Sequence, residues 1–433
     1  MLDKQALLAQ ILAEDIQRTN GCTDPGSVCF AVSKAVAVLG QKPVRIRVTT
    51  SANLFKNAFG VGVPGSGQRG LPIAIALGAV IDHSEAGLAI LDYVTAEKVE
   101  EAQALLATGM VEMDITESEG PLFIRVEASN AKHNAVVVIA HDYANIVEIR
   151  YDQEIRFKAT GDPAQQNAQP IRTFRYPELY ALIESADPDC FSFILEAARI
   201  NQQALLRGSA SPQLHFSTVF ANQNGSLPQP FGMMAQTYRW TGLTSEARMD
   251  GLELPIMALG GSGNQGITAF LGILASADSL HPSDEKLAKA LAIGAATALY
   301  IKGHMNRLTA VCGSALAVAP GVAAATVFLL GGQYEDAVHA IQSVIASLNG
   351  VLCEGAGPLC PFKLGNASQL AVECAHLALQ GVYAPGGFGA LDDDIERTFE
   401  NLGQINASLA TTDRLLLNLM QPRSQGSFSL PKP

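Results

Sequence analysis

The chain is short of charge, and what charge it has is of the wrong sign for some partners. Asp, Glu, Lys and Arg make up only 16% of its 433 residues, and 41 acidic residues outnumber 29 basic ones. The resulting formal net charge of −12 argues against binding a phosphate backbone, which draws on clustered Lys and Arg to release counterions, so nucleic acid is not an expected partner. Cysteine is sparse too: seven residues, an odd number, make no disulfide framework and fit a reducing cytoplasm in which thiols are available for metal or catalysis. A basic leader is missing, because Met1-Leu2-Asp3-Lys4-Gln5 opens an acidic and amide-bearing segment, so no secretion signal is expected. Apolar runs of membrane-crossing length are nearly absent. The one approach to such a run, Val311 to Leu330, is interrupted by Pro320 and crowded at its start by Cys312, Gly313 and Ser314, and reads as a buried helix. What is abundant is small: 39 glycines and many alanines point to closely packed helices and leave room for a homodimer.

The apolar period changes along the chain. Leu2 to Gln17 and Gly26 to Leu39 have helical spacing, and Pro25 suits an early helical position, which sets Cys22 at a helix entrance. Val44 to Thr50 alternates as a strand with one buried face, while Pro72 to Ile81 and Ala96 to Ala107 read as helices. Val111 to Thr116, Leu122 to Ala128, Ala135 to His141 and Ile146 to Tyr151 then read as successive strands of an antiparallel sheet. Gly161 to Ile171 is polar and proline-containing, as a linker is. Beyond it, Pro188 to Leu206, Pro282 to His304, Tyr334 to Leu348, Ala367 to Leu379 and Ala407 to Met420 carry helical periods, and Gln421 to Pro433 reads as an extended tail. The expected fold class is α+β. An α+β region over residues 1–165, with an antiparallel sheet, carries Cys22 and Lys56-Asn57; a large all-helical domain over 172–433 carries a Gly-rich loop and three further cysteines.

Those three, Cys312, Cys353 and Cys360, are candidate metal ligands. Six residues rich in Gly and Pro separate Cys353 from Cys360, a loop able to wrap a bulky object and too long for a Cys-x-x-Cys zinc knuckle. Three thiolates can hold an iron–sulfur cluster with one iron left open as a Lewis acid, although unrelated buried cysteines give the same spacing. In Gly261-Ser262-Gly263-Asn264, small residues and side-chain donors stand ahead of a helix expected from Gln265. This is either a cradle for a substrate carboxylate or a capped tight turn. Lys56 and Asn57 offer groups for a carboxylate or an amine, unless the lysine is merely solvated. Gly60-Val61-Gly62-Val63-Pro64-Gly65 matches a dinucleotide pattern but lacks the buried strand before it, and reads as a Gly-rich loop near the active site. Cys29, Cys190 and Cys374 read as core residues, and His304 closes a helix ahead of Cys312.

Asn20-Gly21-Cys22-Thr23-Asp24-Pro25, Lys56-Asn57-Ala58 leading to Val63-Pro64-Gly65, Gly261 to Gly266, and Cys353 to Lys363 together resemble the L-cysteine desulfidase family, which is related to the iron–sulfur L-serine dehydratase alpha chains. The resemblance runs over nearly the whole chain in the right order. It implies breakdown of L-cysteine to pyruvate, ammonia and hydrogen sulfide, with one 4Fe-4S cluster held by Cys312, Cys353 and Cys360 and with Cys22 as the catalytic residue. The family's second cluster motif commonly reads Cys-Asp-Gly-Ala-Lys, then Cys-Ala and a Lys. This chain has Glu354, Gly357 and Pro361 in the varying places and retains Lys363. Cys22 would serve as thiolate base, its pKa lowered by the helix entrance after it. L-serine is an alternative substrate. Pyridoxal phosphate chemistry lacks an evident motif partner for Lys363, and the non-catalytic alternative is an amino-acid-binding protein.

Overall fold

The structure, a computed structural model, describes residues 2–116, 119–160, 169–211, 214–216 and 232–420. The segment expected as a linker lies mostly outside the described residues, and the expected tail entirely so.

The first half is built on a six-stranded sheet in the order Val111–Thr116, Arg45–Ser51, Phe123–Ser129, Asn134–Ala140, Ile146–Tyr151, Glu154–Lys158. The sheet is mixed, not purely antiparallel as expected. Arg45–Ser51 pairs parallel with Val111–Thr116 because the chain between them crosses over through the helices Ala52–Ala58, Leu71–Val80 and Ala96–Ala107. All other pairings in this sheet are antiparallel. Asn134–Ala140 is apolar on both faces: Ala135, Val137 and Ile139 join the core under the helix Thr23–Leu39, and Val136, Val138 and Ala140 join a small cluster with Phe123 on the other face. Glu154–Lys158 escaped the sequence reading because all five residues are exposed, so burial imposes no alternation on it.

The second half is a body of helices. Asp284–Met305, Ala319–Leu329, Tyr334–Leu348 and Cys360–Ala378 bury an alanine-rich core in which small side chains let helices approach closely. The uncharged run after Cys312 becomes a π turn, Ser314–Val318, continuing into Ala319–Leu329, with Pro320 just past the π turn. Its residues are buried almost throughout, and no described helix is long and apolar enough to cross a membrane. The expected helix from Ala407 to Met420 is two helices, Ile395–Ser408 and Thr412–Met420.

Two connections tie the halves together. Leu8 and Leu12 of the first helix, Leu2–Asp15, are buried among the second-half helices. The strand that follows it, Gln17–Asn20, pairs antiparallel with Pro255–Ala258, with Asn20 opposite Pro255. That pairing brings the Gly21-Cys22 turn against the end of the helix Met233–Met249.

Candidate active site

The cysteines of the second half are gathered by an isolated β-bridge. Val311 pairs with Leu352, so Cys312 N–H donates to the Val351 carbonyl at 2.8 Å and Cys353 N–H to the Ala310 carbonyl at 2.8 Å. Cys360 returns to the same place by opening the helix Cys360–Ala378, seven residues earlier than the periodicity from Ala367 indicates. Between them Gly355 takes φ +93°, and a β-carbon there would meet the Lys56 carbonyl oxygen at 2.4 Å; only glycine lets the loop lie on the helix Ala52–Ala58. Ala356 N–H then bonds the Asn57 carbonyl at 3.1 Å. Cys353 Sγ donates to Asn57 Oδ1 at 3.6 Å and Cys360 Sγ to the Gly355 carbonyl at 3.8 Å. Burial, reinforced by the neighbouring thiols, pushes Cys312 up to about 11 and Cys360 up to about 12. Among the described residues no three His, Cys, Asp or Glu side chains converge on one point as a single metal ion requires.

Cys22 faces this loop from the first half. It is the N-cap of Thr23–Leu39, and its Sγ donates to Asp24 Oδ2 at 3.4 Å. Tyr143 O–H reaches Asp24 Oδ1 at 3.5 Å, and the Asn57 amide also bonds this carboxylate. Burial pushes Asp24 up to about 6 against the pull of those hydrogen bonds. It also holds the Cys22 thiol well above its ordinary value, with the Asp24 charge adding to the rise and Arg248 opposing it. The sequence expectation of a lowered Cys22 pKa is thereby corrected: desolvation of a buried thiol outweighs a helix N-terminus.

The third wall is the Gly-rich loop. Leu259 and Ser262 form a bridge around Gly260 and Gly261, both at positive φ, and the helix begins at Gly263, two residues before the expected Gln265. It runs directly into a π turn, Ile267–Leu271; π turns interrupt helices mostly where function needs a side chain redirected. Arg248 lies behind the loop, 2% exposed. Its Nη1 donates to Asn264 Oδ1 at 3.1 Å and its Nη2 to the Gly21 carbonyl at 2.8 Å, while Nε has no partner. A β-carbon on Gly263 would stand 2.5 Å from that Nε, so the glycine makes room for the guanidinium.

These walls enclose a cavity of about 80 Å³. Cys22, Asn57, Ser262, Asn264, Cys312, Cys353 and Cys360 all line it; Lys56 and Gly263 do not. Lys56, expected in a loop with its ammonium available to substrate, is instead fully buried on a helix. Its Nζ donates to the Cys353 carbonyl at 2.6 Å and to the Asp413 carboxylate, which also accepts from Asn53 Nδ2 at 2.6 Å. Lys363 likewise is engaged, with the Leu352 carbonyl at 2.7 Å and Glu354 at 2.5 Å. The dinucleotide-like glycines form a tight hairpin, Gly62–Val63 with Gln68–Arg69, and open no helix. His304 does not line the cavity and is held neutral, its pKa pushed down to about 4 by burial.

Sequence reasoning missed Asp24, Tyr143, Arg248, Gln265 and Arg307 on the same cavity. Arg307 is paired with Asp15 at 2.6 Å and Asp142 at 3.0 Å. A signal for Arg248 existed: Thr237, Thr241, Thr244, Ser245 and Arg248 lie on the buried side of one helix, a polar stripe that an apolar-period reading passes over.

The fold thus sets a cavity walled by thiols between a mixed-sheet region and a helical body, and similarity to known proteins places the chain in the serine-dehydratase-like class. The family model described as serine dehydratase alpha chain matches residues 85–418, and the chain belongs to that family. Similarity also extends to proteins named UPF0597 protein. That of Methanocella arvoryzae is 41% identical over 420 residues, covering 97% of this chain and 99% of the relative. That of Aeromonas salmonicida is 36% identical over 423 residues, 96% of each chain, and that of Parabacteroides distasonis 34% over 413 residues, 93% of this chain and 95% of the relative. The resemblance first carried by the motifs therefore holds at the level of the family.

Proposed function

We propose that the chain eliminates hydrogen sulfide from L-cysteine, giving pyruvate and ammonia, in a cavity that carries one 4Fe-4S cluster. The observation that carries this reading is the arrival of Cys312, Cys353 and Cys360 on one cavity wall with Cys22 on another, from three separate places in the sequence. The donor set fits the group: three soft sulfur ligands suit iron–sulfur chemistry, and ligands spread over a wall suit a cluster better than a single ion. Cys312, Cys353 and Cys360 would hold the cluster, which when bound supplies an open iron as Lewis acid for the departing sulfur.

The remaining work falls to the chain's own side chains. Cys22 Sγ–H donates to Asp24 Oδ2, and Cys22 as thiolate is the base assigned to the substrate's Cα proton; because burial and the Asp24 charge hold the thiol protonated in the free cavity, the thiolate would form only once substrate is bound. Loss of sulfide then gives 2-aminoacrylate, which tautomerises and is hydrolysed by water to pyruvate and ammonia. Tyr143 and Asn57 hold the carboxylate of Asp24 in place through their hydrogen bonds. Ser262 and Asn264 bound the carboxylate end of the substrate, with Gly263 behind them making room for Arg248, and Asn57 bounds the side nearest Cys353. Lys56 supports the cysteine loop from behind.

The match to a serine dehydratase family favours a second reading, loss of water from L-serine by the same groups. The test is an anaerobic assay of cluster-loaded protein with L-cysteine and L-serine side by side, following sulfide and pyruvate. Sulfide release with Cys22→Ser inactive and its cluster absorption intact is the expected result. Pyruvate from L-serine alone selects the second reading, and cluster-loaded protein that binds L-cysteine without releasing sulfide defeats the first.

A further inference from the structure

Arg248 is a buried cation whose hydrogen bonds go only to neutral groups. At 2% exposure its guanidinium is out of water, and among the described residues it has no ion-pair partner. Its two acceptors, Asn264 Oδ1 and the Gly21 carbonyl, are neutral dipoles, and Nε is unpartnered. A buried guanidinium with no hydrogen-bonded counter-ion is costly, and a fold that tolerates it gains when an anion arrives. The same side chain lines the cavity beside Ser262 and Asn264. The pKa of Asp24, on the same cavity, is raised by burial and lowered in part by the Arg248 charge, but its hydrogen bonds go to Cys22, Tyr143 and Asn57 and none goes to the guanidinium. Arg307, the other guanidinium on the cavity, has its charge answered by Asp15 and Asp142.

We propose that Arg248 is the residue that binds the substrate's α-carboxylate, with Asn264 and the Gly21 carbonyl orienting its planar fork and Gly263 giving it room. This rests on reading the cavity as the substrate site. It adds a substrate class: small α-amino acids whose carboxylate is obligatory, and not thiols or alcohols in general. Two fixed acceptors on Nη1 and Nη2 set the plane of the guanidinium, which is the condition for paired hydrogen bonds to a carboxylate. Lysine, a point charge on a flexible stem, cannot reproduce that plane.

Binding is measured on cluster-loaded wild-type, Arg248→Gln and Arg248→Lys proteins by calorimetric titration with L-alanine, which has the carboxylate and amine but no leaving group. Turnover of L-cysteine is measured beside it, with cysteamine, the same molecule without its carboxylate, as the comparison. Wild type is expected to bind L-alanine and to reject cysteamine. Arg248→Gln is expected to weaken L-alanine binding and raise KM for L-cysteine on the order of a hundred-fold, with kcat changed far less and cluster absorption unchanged. Arg248→Lys is expected to lie between them, and serves as the test if the glutamine variant does not fold. The inference is overturned if L-alanine fails to bind wild type, if both variants bind it as wild type does, or if loss of Arg248 removes the cluster while leaving L-alanine affinity intact. Weakened L-alanine binding in a protein that releases no sulfide from L-cysteine sinks the desulfidase reading and leaves Arg248 in its role.

Discussion

Replacing Lys56 with Met tests whether this lysine acts on substrate or on the fold. The ammonium is fully buried between the Cys353 carbonyl at 2.6 Å and the Asp413 carboxylate, whose second oxygen accepts from Asn53 Nδ2 at 2.6 Å. Methionine fills much of the stem's volume but leaves Asp413 buried with one hydrogen bond and no counter-charge. Breaking a buried pair in this way costs about 3–5 kcal/mol. Burial already raises Asp413, and Lys56 is the largest influence lowering it, so its removal raises the carboxyl further. A carboxylate raised in the folded state costs stability above its unfolded pKa, and the cost is relieved as pH falls through the folded value. The deficit of Lys56→Met is therefore expected to be full at pH 7 and to shrink on acidification. Adding Asp413→Asn removes the stranded charge and is expected to recover most of the loss. Urea denaturation of the four proteins of this cycle at pH 5 and pH 7 measures it. A Lys56→Met protein as stable as wild type, or a double variant no more stable than the single one, refutes the reasoning. A double variant with restored stability, intact cluster absorption and no turnover returns Lys56 to the substrate, because loss of the strut would disturb Cys353 and the cluster first.

Two further outcomes follow from the same electrostatics and packing. Asp24, raised to about 6 by burial, penalises the native state above that pH and ceases to do so below its ordinary value, so stability is expected to rise as pH falls through 6. Asp24→Asn should flatten that dependence and gain on the order of 1–3 kcal/mol at pH 7; an unchanged pH slope in urea titrations would contradict it. Gly263→Ala puts a β-carbon 2.5 Å from Arg248 Nε and is expected to displace the guanidinium, raising KM for L-cysteine more than tenfold with cluster absorption unchanged. A KM equal to wild type would show that the loop yields instead.

The main elements were legible because burial writes a period into them. Thr23–Leu39, Ala96–Ala107 and Tyr334–Leu348 lie where the apolar spacing puts them, and the strands from Val111 to Tyr151 lie where their β-branched and aromatic runs put them. Elements without a one-sided apolar face were missed. Glu154–Lys158 has no buried face, Gln17–Asn20 forms only because Pro255–Ala258 is there to pair with it, and Met233–Met249 presents polar residues inward. The cavity residues divide the same way: the motif residues Cys22, Asn57, Ser262, Asn264, Cys312, Cys353 and Cys360 reach it, whereas the buried place of Lys56 was not legible because a lysine's burial depends on a partner 357 residues away.

What the sequence by itself determined is the kind of molecule: an α+β region before a helical body, the family, and the residue types on which the chemistry rests. Local order suffices for these, since periodicity, capping and motif spacing are properties of neighbours along the chain. Only the tertiary structure decided which charges are compensated. Burial removes the solvent that would otherwise neutralise every lysine, arginine and aspartate alike. After that, Lys56 with Asp413 is a closed pair, the Cys22 thiol donates to Asp24, and Arg248 is a cation on a cavity whose hydrogen bonds go only to neutral groups.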